Sequence, residues 1–107
     1  MTAEELIHEY YFHDSVVTNM KYINNKLILI IELCMYMQNG YRDSDPETKT
    51  VTVEFIGVGN FEFDSDFKFE DAEILELSYE NNTVKSVLFN DEISVIIFEC
   101  SAVNISD

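Results

Sequence analysis

The chain has 107 residues, 47% of them hydrophobic, and its 21 acidic and 6 basic residues give a formal net charge of −15. The length and the apolar content predict a single domain over residues 1–107 with its own core, and they exclude a disordered chain. Because the acidic charge repels phosphates and anionic lipid headgroups, we expect no nucleic acid and no membrane as partner. The same charge favours a basic protein as partner, and the alternative is that the acidity serves solubility alone.

Residues 1–12 contain no basic region and no apolar run of the kind that forms a secretory signal, so a cytoplasmic location is expected. The segment Thr2-Ala3-Glu4-Glu5 fits a capping box. Together with apolar residues at helical spacing, it predicts a short helix from Ala3 to about Tyr10. A loose N-terminal arm is the alternative.

The motif Phe12, His13, Asp14 and Ser15 contains one of the two histidines of the chain. An imidazole beside a carboxylate suits acid–base chemistry, but catalysis needs further converging groups, and the sequence offers none at a recognisable spacing. We interpret the motif as structural, with Phe12 in the core and with Asp14 or Ser15 bonded to the backbone. No catalytic residue, no metal site and no cofactor is predicted.

Cys34 and Cys100 lie within apolar, strand-like runs, which predicts buried free thiols in a reducing compartment. A nucleophilic pair of either cysteine with His13 stays open from the sequence. Nothing around the two cysteines indicates the lowered pKa that a nucleophile needs.

Asn24-Asn25 predicts a tight two-residue turn, because asparagine tolerates the positive φ that such turns require. The hairpin runs from Val16 to Met37. Its second strand is apolar on both faces over residues 27–31, which predicts a central position in the sheet. The turn sets a register that places seven apolar residues on one face. The predicted pairs are Tyr22–Leu27, Met20–Leu29, Thr18–Ile31 and Val16–Leu33, with Val17 opposite Glu32.

The polar stretch 38–48 holds the only proline and the only arginine of the chain, and it is predicted to be an exposed loop. The stretch Lys49–Val58 then alternates as a strand, with Val51, Val53 and Phe55 facing inward. The glycines that follow predict a bend or a bulge.

Over residues 61–69, four phenylalanines alternate with charged residues, and they are predicted to point one way and to anchor this segment across the core. Residues 64–70 also resemble a calcium-binding loop in outline. Lys68 stands where a calcium ligand is needed, and the central glycine is missing. No calcium site is therefore predicted.

Residues 62–76 form the densest acidic cluster, with seven acids and one base. A solvated outer face of two strands is the simplest interpretation of this pattern. The functional interpretation is a docking surface for a basic protein. The candidate partner-binding residues are Glu62, Asp64, Asp66, Glu70, Asp71, Glu73 and Glu76.

The last third of the chain is predicted to be a three-strand meander with two-residue turns at Asn81-Asn82 and Asn90-Asp91. Both turns place the same three alternate residues of the middle strand on the inner face. The final strand, Ile93 to about Val103, is also apolar on its second face, so it is expected to lie centrally. The predicted pairs are Tyr79–Val84, Leu77–Ser86 and Leu75–Leu88 at the first turn, and Leu88–Ile93, Ser86–Val95 and Val84–Ile97 at the second.

These elements amount to seven or eight strands and one short helix, joined mostly by hairpins. The predicted fold class is all-β, closed as an antiparallel sandwich or as a half-open barrel. Strands and helices do not alternate, which excludes a Rossmann-type enzyme.

Three features carry a likeness to known proteins: the triplet His13-Asp14-Ser15 before a hairpin, the strand Val53-Glu54-Phe55-Ile56-Gly57-Val58, and a closing apolar strand with Cys100. From about Phe12 to Ile105, the chain resembles the small all-β bacterial proteins that include immunity proteins of polymorphic toxin systems. The resemblance implies a non-enzymatic cytoplasmic protein that binds and blocks a partner, and a basic nuclease toxin is a compatible partner. It implies no particular site residues.

The sequence thus supports three hypotheses of function. The first is an acidic binding protein of immunity type that inhibits a basic toxin. The second is a structural or assembly module of a bacterial or phage complex with no catalytic role. The third is a small ligand-binding or enzymatic β-barrel that uses His13.

Overall fold

The computed structural model describes residues 1–63 and 70–107. Within these ranges the chain forms helix α1 (Ala3–Glu9), one 3-10 turn (Met35–Met37) and eight strands in one open sheet, every neighbouring pair antiparallel. The sheet order is β4-β7-β6-β5-β1-β2-β3-β8, and the predicted all-β class is confirmed. The strands are β1 (Val16–Ile23), β2 (Lys26–Cys34), β3 (Thr48–Ile56), β4 (Gly59–Glu62), β5 (Ala72–Glu80), β6 (Thr83–Asn90), β7 (Glu92–Glu99) and β8 (Ala102–Ser106).

The sheet consists of two four-stranded halves joined at a narrow corner. At this corner β1 and β5 pair through two residue pairs, Val16 with Glu73 and Val17 with Ala72. We call β4, β7, β6 and β5 the meander half, and β1, β2, β3 and β8 the hairpin half. The inner faces of the halves meet across one core, where the ring of Phe98 in β7 lies 4.9 Å from that of Phe55 in β3. The edges at β4 and β8 do not close into a barrel.

Helix α1 begins at the predicted capping box. The Thr2 hydroxyl accepts a hydrogen bond from the Glu5 backbone N–H, and the Glu5 carboxylate accepts one from the Thr2 backbone N–H, each at 3.1 Å. Hydrogen bonds from the Thr2 backbone N–H and the Thr2 hydroxyl to the carboxylate lower the pKa of Glu5, because they favour its ionised form. The helix buries Ala3 and Leu6 and contacts β5 and β8. The prediction of a helix is confirmed, with Glu9 as its last residue.

The first hairpin has the predicted turn, with Asn24 and Asn25 at φ of 51° and 59°. The predicted register is confirmed for Tyr22–Leu27 and Met20–Leu29, but a bulge between Val17 and Asn19 shifts it. Beyond the bulge Val17 faces Ile31 and Val16 faces Glu32, so the predicted pairs Thr18–Ile31, Val16–Leu33 and Val17–Glu32 are wrong. The extra residue turns Val17 into the core, where it is fully buried at the corner. Strand β2 lies between β1 and β3, as predicted for a central strand.

Strand β3 begins at Thr48, one residue earlier than predicted, so that the connecting loop ends at Glu47. Val51, Val53 and Phe55 are buried, which confirms the predicted inner face. The predicted bend lies at Gly57, with a φ of +68°, and a Cβ at this position would collide with the Ser101 side chain. Glycine is therefore required here both by its φ and by the close approach.

Among the described residues, the predicted phenylalanine anchor is confirmed for Phe61 alone. Phe61 is partly buried against the core, and its ring lies 6.0 Å from that of Phe98. The ring of Phe63 packs on Phe61 at 4.7 Å but is 46% exposed. Phe67 and Phe69 lie outside the described residues.

The β5–β6 hairpin has the predicted turn at Asn81-Asn82 and the predicted pairs Tyr79–Val84 and Leu77–Ser86. A bulge between Ile74 and Glu76 then shifts the register, and Leu88 faces Ile74. The predicted pair Leu75–Leu88 is therefore wrong. As in the first hairpin, the bulge lies close to the corner where β1 and β5 meet.

The β6–β7 register differs from the prediction by one residue. Asn90 faces Glu92, so Asp91 alone stands between the paired residues, with a φ of 63°. The observed pairs are Leu88–Ser94, Ser86–Ile96 and Val84–Phe98, and the predicted pairs Leu88–Ile93, Ser86–Val95 and Val84–Ile97 are wrong. A one-residue shift exchanges the two faces of a strand. It buries Ile96 and Phe98, which fill the core more fully than Val95 and Ile97 would.

The predicted final strand is in fact two strands. The chain leaves the meander half after Glu99, the Ser101 backbone N–H donates to the Ile56 carbonyl at 2.8 Å, and β8 then pairs with β3. Strand β8 is an edge of the sheet rather than a central strand, so that expectation is wrong for it. The break allows one apolar run to serve both halves of the core.

We expect Phe98→Ala to lower the free energy of unfolding by about 3–5 kcal/mol, because it leaves a cavity between the two halves. Phe89→Ala is the matched control, since that ring lies on the outer face and is 43% exposed. It should cost about 1 kcal/mol or less. Urea denaturation measures both changes, and equal losses would contradict the observed register.

Two buried serines should respond to alanine with opposite signs. The Ser86 hydroxyl donates to the Glu76 carbonyl at 3.3 Å, whereas that of Ser94 has no hydrogen-bond partner among the described residues. We expect Ser94→Ala to raise the free energy of unfolding by about 1 kcal/mol, and Ser86→Ala to lower it by a similar amount. Thermal and urea unfolding of the two variants, side by side, would reveal the signs. A loss of stability in Ser94→Ala would show that its hydroxyl is satisfied.

Candidate functional site

The outer face of the meander half carries an exposed apolar surface. On β6 and β7, every second residue is buried in the core, as Leu88 and Ile96 are. The residues that alternate with these buried ones therefore point outward. Phe89 is 43% exposed and lies opposite Ile93, which is 64% exposed. We call this surface the apolar strip, and it consists of Val87, Phe89, Ile93, Val95 and Ile97.

Acidic side chains lie on both sides of the apolar strip. On the β5 side, Glu73 lies opposite Phe89 and Glu76 opposite Val87. On the β4 side, Glu62 lies opposite Ile97. One base, Lys85, lies on this face among the described residues. We call these acids the acidic borders, and they are Glu73, Glu76 and Glu80 on β5, with Glu62 on β4 and Glu99 at the end of β7, opposite Gly59.

The outer face of the hairpin half is different in character. Its rows mix apolar, basic and acidic residues, as in the row of Lys21, Ile28 and Glu54. The Lys26 ammonium lies 3.8 Å from the Glu54 carboxylate, so opposite charges are partly paired there. An apolar centre with acids on both sides is thus a property of the meander half alone among the described parts of the two halves.

The residues predicted to bind a partner fall into three groups. Glu62, Glu73 and Glu76 belong to the acidic borders, with Glu62 separated from the other two by β6 and β7. Glu70 and Asp71 are exposed at the start of β5. Asp64 and Asp66 lie outside the described residues. The described acids of this set therefore flank a surface rather than form one continuous cluster.

The sequence interpretation missed the apolar strip and two border residues, Glu80 and Glu99. The predicted register of β7 turns Ile93, Val95 and Ile97 inward and therefore predicts no exposed apolar strip. The signal that could have found it is the apolar character of both faces of β7. Either face could fill the core, and the face left over would then be exposed.

The structural motif of Phe12, His13, Asp14 and Ser15 forms the corner between the halves. The Asp14 backbone N–H donates to the Ile74 carbonyl at 3.0 Å, and the Ile74 backbone N–H donates to the Ser15 carbonyl at 2.7 Å. The buried Ser15 hydroxyl accepts from the Cys34 backbone N–H at 2.9 Å. Phe12 is buried in the core. These bonds join β5, β1 and the end of β2 at one point.

His13 lies on the outside of this corner. Its Nδ1–H donates to the Leu75 carbonyl at 2.7 Å, and its Nε2 lies 3.4 Å from the Asp14 carboxylate. The side chain is exposed, beside a groove of about 250 Å³ between α1 and β5 that Ile7 and Glu76 also line. The imidazole thus holds the bulge of β5 in place, and its catalytic use would need a reacting group in this shallow groove.

A second hollow of about 250 Å³ lies where α1 ends near the hairpin half. Leu33 and Val51 line it together with the ion pair of Lys49 and Asp107, whose Nζ and Oδ2 lie 2.6 Å apart. In neither hollow, nor elsewhere in residues 1–63 and 70–107, do three or more histidine, cysteine or acidic side chains converge as metal ligands.

Both cysteines are free thiols, as predicted. Cys34 is buried as predicted, whereas Cys100 is only half-buried. Burial raises the pKa of Cys100, which disfavours the thiolate that a nucleophile requires. A hydrogen bond with Cys34 likewise raises the pKa of the Tyr36 hydroxyl.

Across the described residues, no helix is both long and apolar enough to span a membrane. Comparison with known proteins found no matching family, no similar curated protein and no similar solved structure. The surface chemistry of this chain is therefore the basis on which its function can be argued.

Cys100 should be alkylated by iodoacetamide with a pH midpoint higher than that of the same cysteine in urea-unfolded protein. Burial raises its pKa, and only the thiolate reacts, so the fraction of reactive sulfur at neutral pH is lowered by folding. Mass spectrometry of the Cys100 peptide gives the rate at each pH. A midpoint at or below the unfolded value would contradict the raised pKa and would restore Cys100 as a candidate nucleophile.

Proposed function

We propose that this chain is a non-enzymatic cytoplasmic binding protein that blocks a basic protein, in the manner of immunity proteins of polymorphic toxin systems. The observation that carries the proposal is the apolar strip between two acidic borders on the meander half. Protein interfaces commonly join an apolar centre to a polar rim. Here the rim has one sign of charge, which selects a basic partner.

Electrostatics makes a nuclease a suitable target. A protein that binds nucleic acid presents lysines and arginines to the phosphates. Acidic borders complement such a surface, and a formal net charge of −15 would speed the encounter. A partner held there would have its phosphate-binding surface covered, and inhibition would follow without any chemistry in this chain.

An assembly module is the second candidate, and the exposure of the apolar strip favours it, since large exposed apolar patches mark contact surfaces. The charges oppose assembly with identical copies. Two copies facing each other through this surface would bring Glu62 and Glu76 of both chains together, and like charges at an interface are unfavourable. A basic partner removes this repulsion.

The direct test measures binding and inhibition of purified basic nuclease domains from polymorphic toxins. We expect at least one domain to be bound and inhibited, with an affinity that falls as the ionic strength rises from about 0.05 M to about 0.5 M. Reversal of three exposed border acids, in the triple variant Glu62→Lys, Glu76→Lys and Glu80→Lys, should weaken binding at least tenfold.

The matched control reverses three exposed acids away from the meander half, Glu9→Lys, Glu32→Lys and Glu47→Lys. Both triple variants change the net charge by the same amount, so their comparison separates the surface from the total charge. The control should weaken binding about threefold or less, through the long-range field alone. Failure to bind any of the domains, or equal weakening by the two triple variants, would refute the proposal.

A further inference from the structure

We propose that the apolar strip is the docking site for one amphipathic α-helix of the partner, with lysines or arginines along both margins of the apolar stripe of that helix. This inference rests on the proposed function and names the chemistry of the partner element. The helix adds a shape requirement to the charge requirement, because a basic surface of any shape could pair with the acidic borders.

The width of the surface supports a helix. Neighbouring strands lie about 4.8 Å apart, so β5 and β4, separated by three such steps, lie roughly 14 Å apart. An α-helix with its side chains is about 10–12 Å across. One helix therefore fits between the borders, and long basic side chains on both margins reach Glu76 on one side and Glu62 on the other.

The length of the surface sets the size of the contact. The strip extends along β7 from Ile93 to Ile97, four residue steps or roughly 14 Å of strand. At about 1.5 Å per residue, a helix of about nine residues covers this distance. Such a helix has two or three apolar side chains on one face, enough to cover Phe89, Ile93 and Val95.

The acidic borders also make two other occupants of this surface unfavourable, a second copy of this chain and a helix without basic side chains. A second copy of this chain would place its own acids over these borders, and Lys85 is the one base on the described part of this face. A partner helix without basic margins would leave Glu62 and Glu76 desolvated and unpaired. A helix with one apolar stripe and two basic margins would cover the apolar strip and pair with the acids of both borders.

The test uses the full chain and a synthetic peptide of about eighteen residues, whose leucines form one helical stripe with lysines on both margins. A scrambled peptide of the same composition has the same charge and no stripe. We expect the striped peptide to bind at least tenfold more tightly than the scrambled one, and to gain helical circular dichroism on binding.

Ile93→Thr should weaken binding of the striped peptide about fivefold, because it removes apolar surface while keeping a β-branched side chain. Ile23→Thr is the matched control, since Ile23 is also exposed, at 45%, but lies on the hairpin half. It should change the affinity less than twofold. Nuclear magnetic resonance shifts of the backbone amides should locate the peptide on β5, β6 and β7.

The outcomes separate this inference from the proposed function. In one outcome, the border triple variant weakens binding but Ile93→Thr acts like Ile23→Thr, or the scrambled peptide binds equally well. The proposal of a basic partner is then retained, and docking of an amphipathic helix is refuted. If the border variant and its control act alike, the proposed function itself is wrong. Sedimentation that shows a dimer abolished by Ile93→Thr would overturn the helix in favour of a second copy.

Discussion

The contact of Phe98 with Phe55 holds the two halves of the sheet together. The ring of Phe98 also reaches Phe61 of β4, so one side chain joins three strands across the core. Side chains of a strand alternate between its faces, and Phe98 can point inward only if Ile96 does so as well. The same alternation turns Ile93 and its alternates outward. The core and the exposed apolar strip are therefore two results of one register.

The corner motif determines how the two faces are presented. Ser15 links β5 to β1 through its carbonyl and to the end of β2 through its hydroxyl, and the bulges of β1 and β5 lie beside it. Each bulge increases local twist, which allows the sheet to fold over its own core. His13 then fixes the β5 bulge from outside by its bond to Leu75. An imidazole beside a carboxylate thus has a structural explanation at this position.

Charge and apolar exposure depend on each other in this chain. An exposed strip such as Phe89 with Ile93 favours self-association, whereas a high net charge of one sign keeps copies apart. The acidic borders place that charge where association would begin. For a basic partner the charge of the borders is attractive rather than repulsive, and the apolar strip supplies contact area that is desolvated on binding. Under the proposed function, repulsion between copies and selectivity for a basic partner would both depend on these residues.

The local features can be predicted from the order of the residues alone: the capping box at Thr2, the asparagine turns, and the inner faces of β3 and β6. These follow from backbone geometry within a few residues and from hydrophobic alternation on one face. The sequence also predicts Glu62, Glu73 and Glu76 as outward acids. The bulges and the register of β7 depend on packing between distant residues, and for β7 the local pattern is ambiguous because both faces of that strand are apolar. The choice between them was made by the fit of Phe98 against Phe55, a contact between residues far apart in the chain.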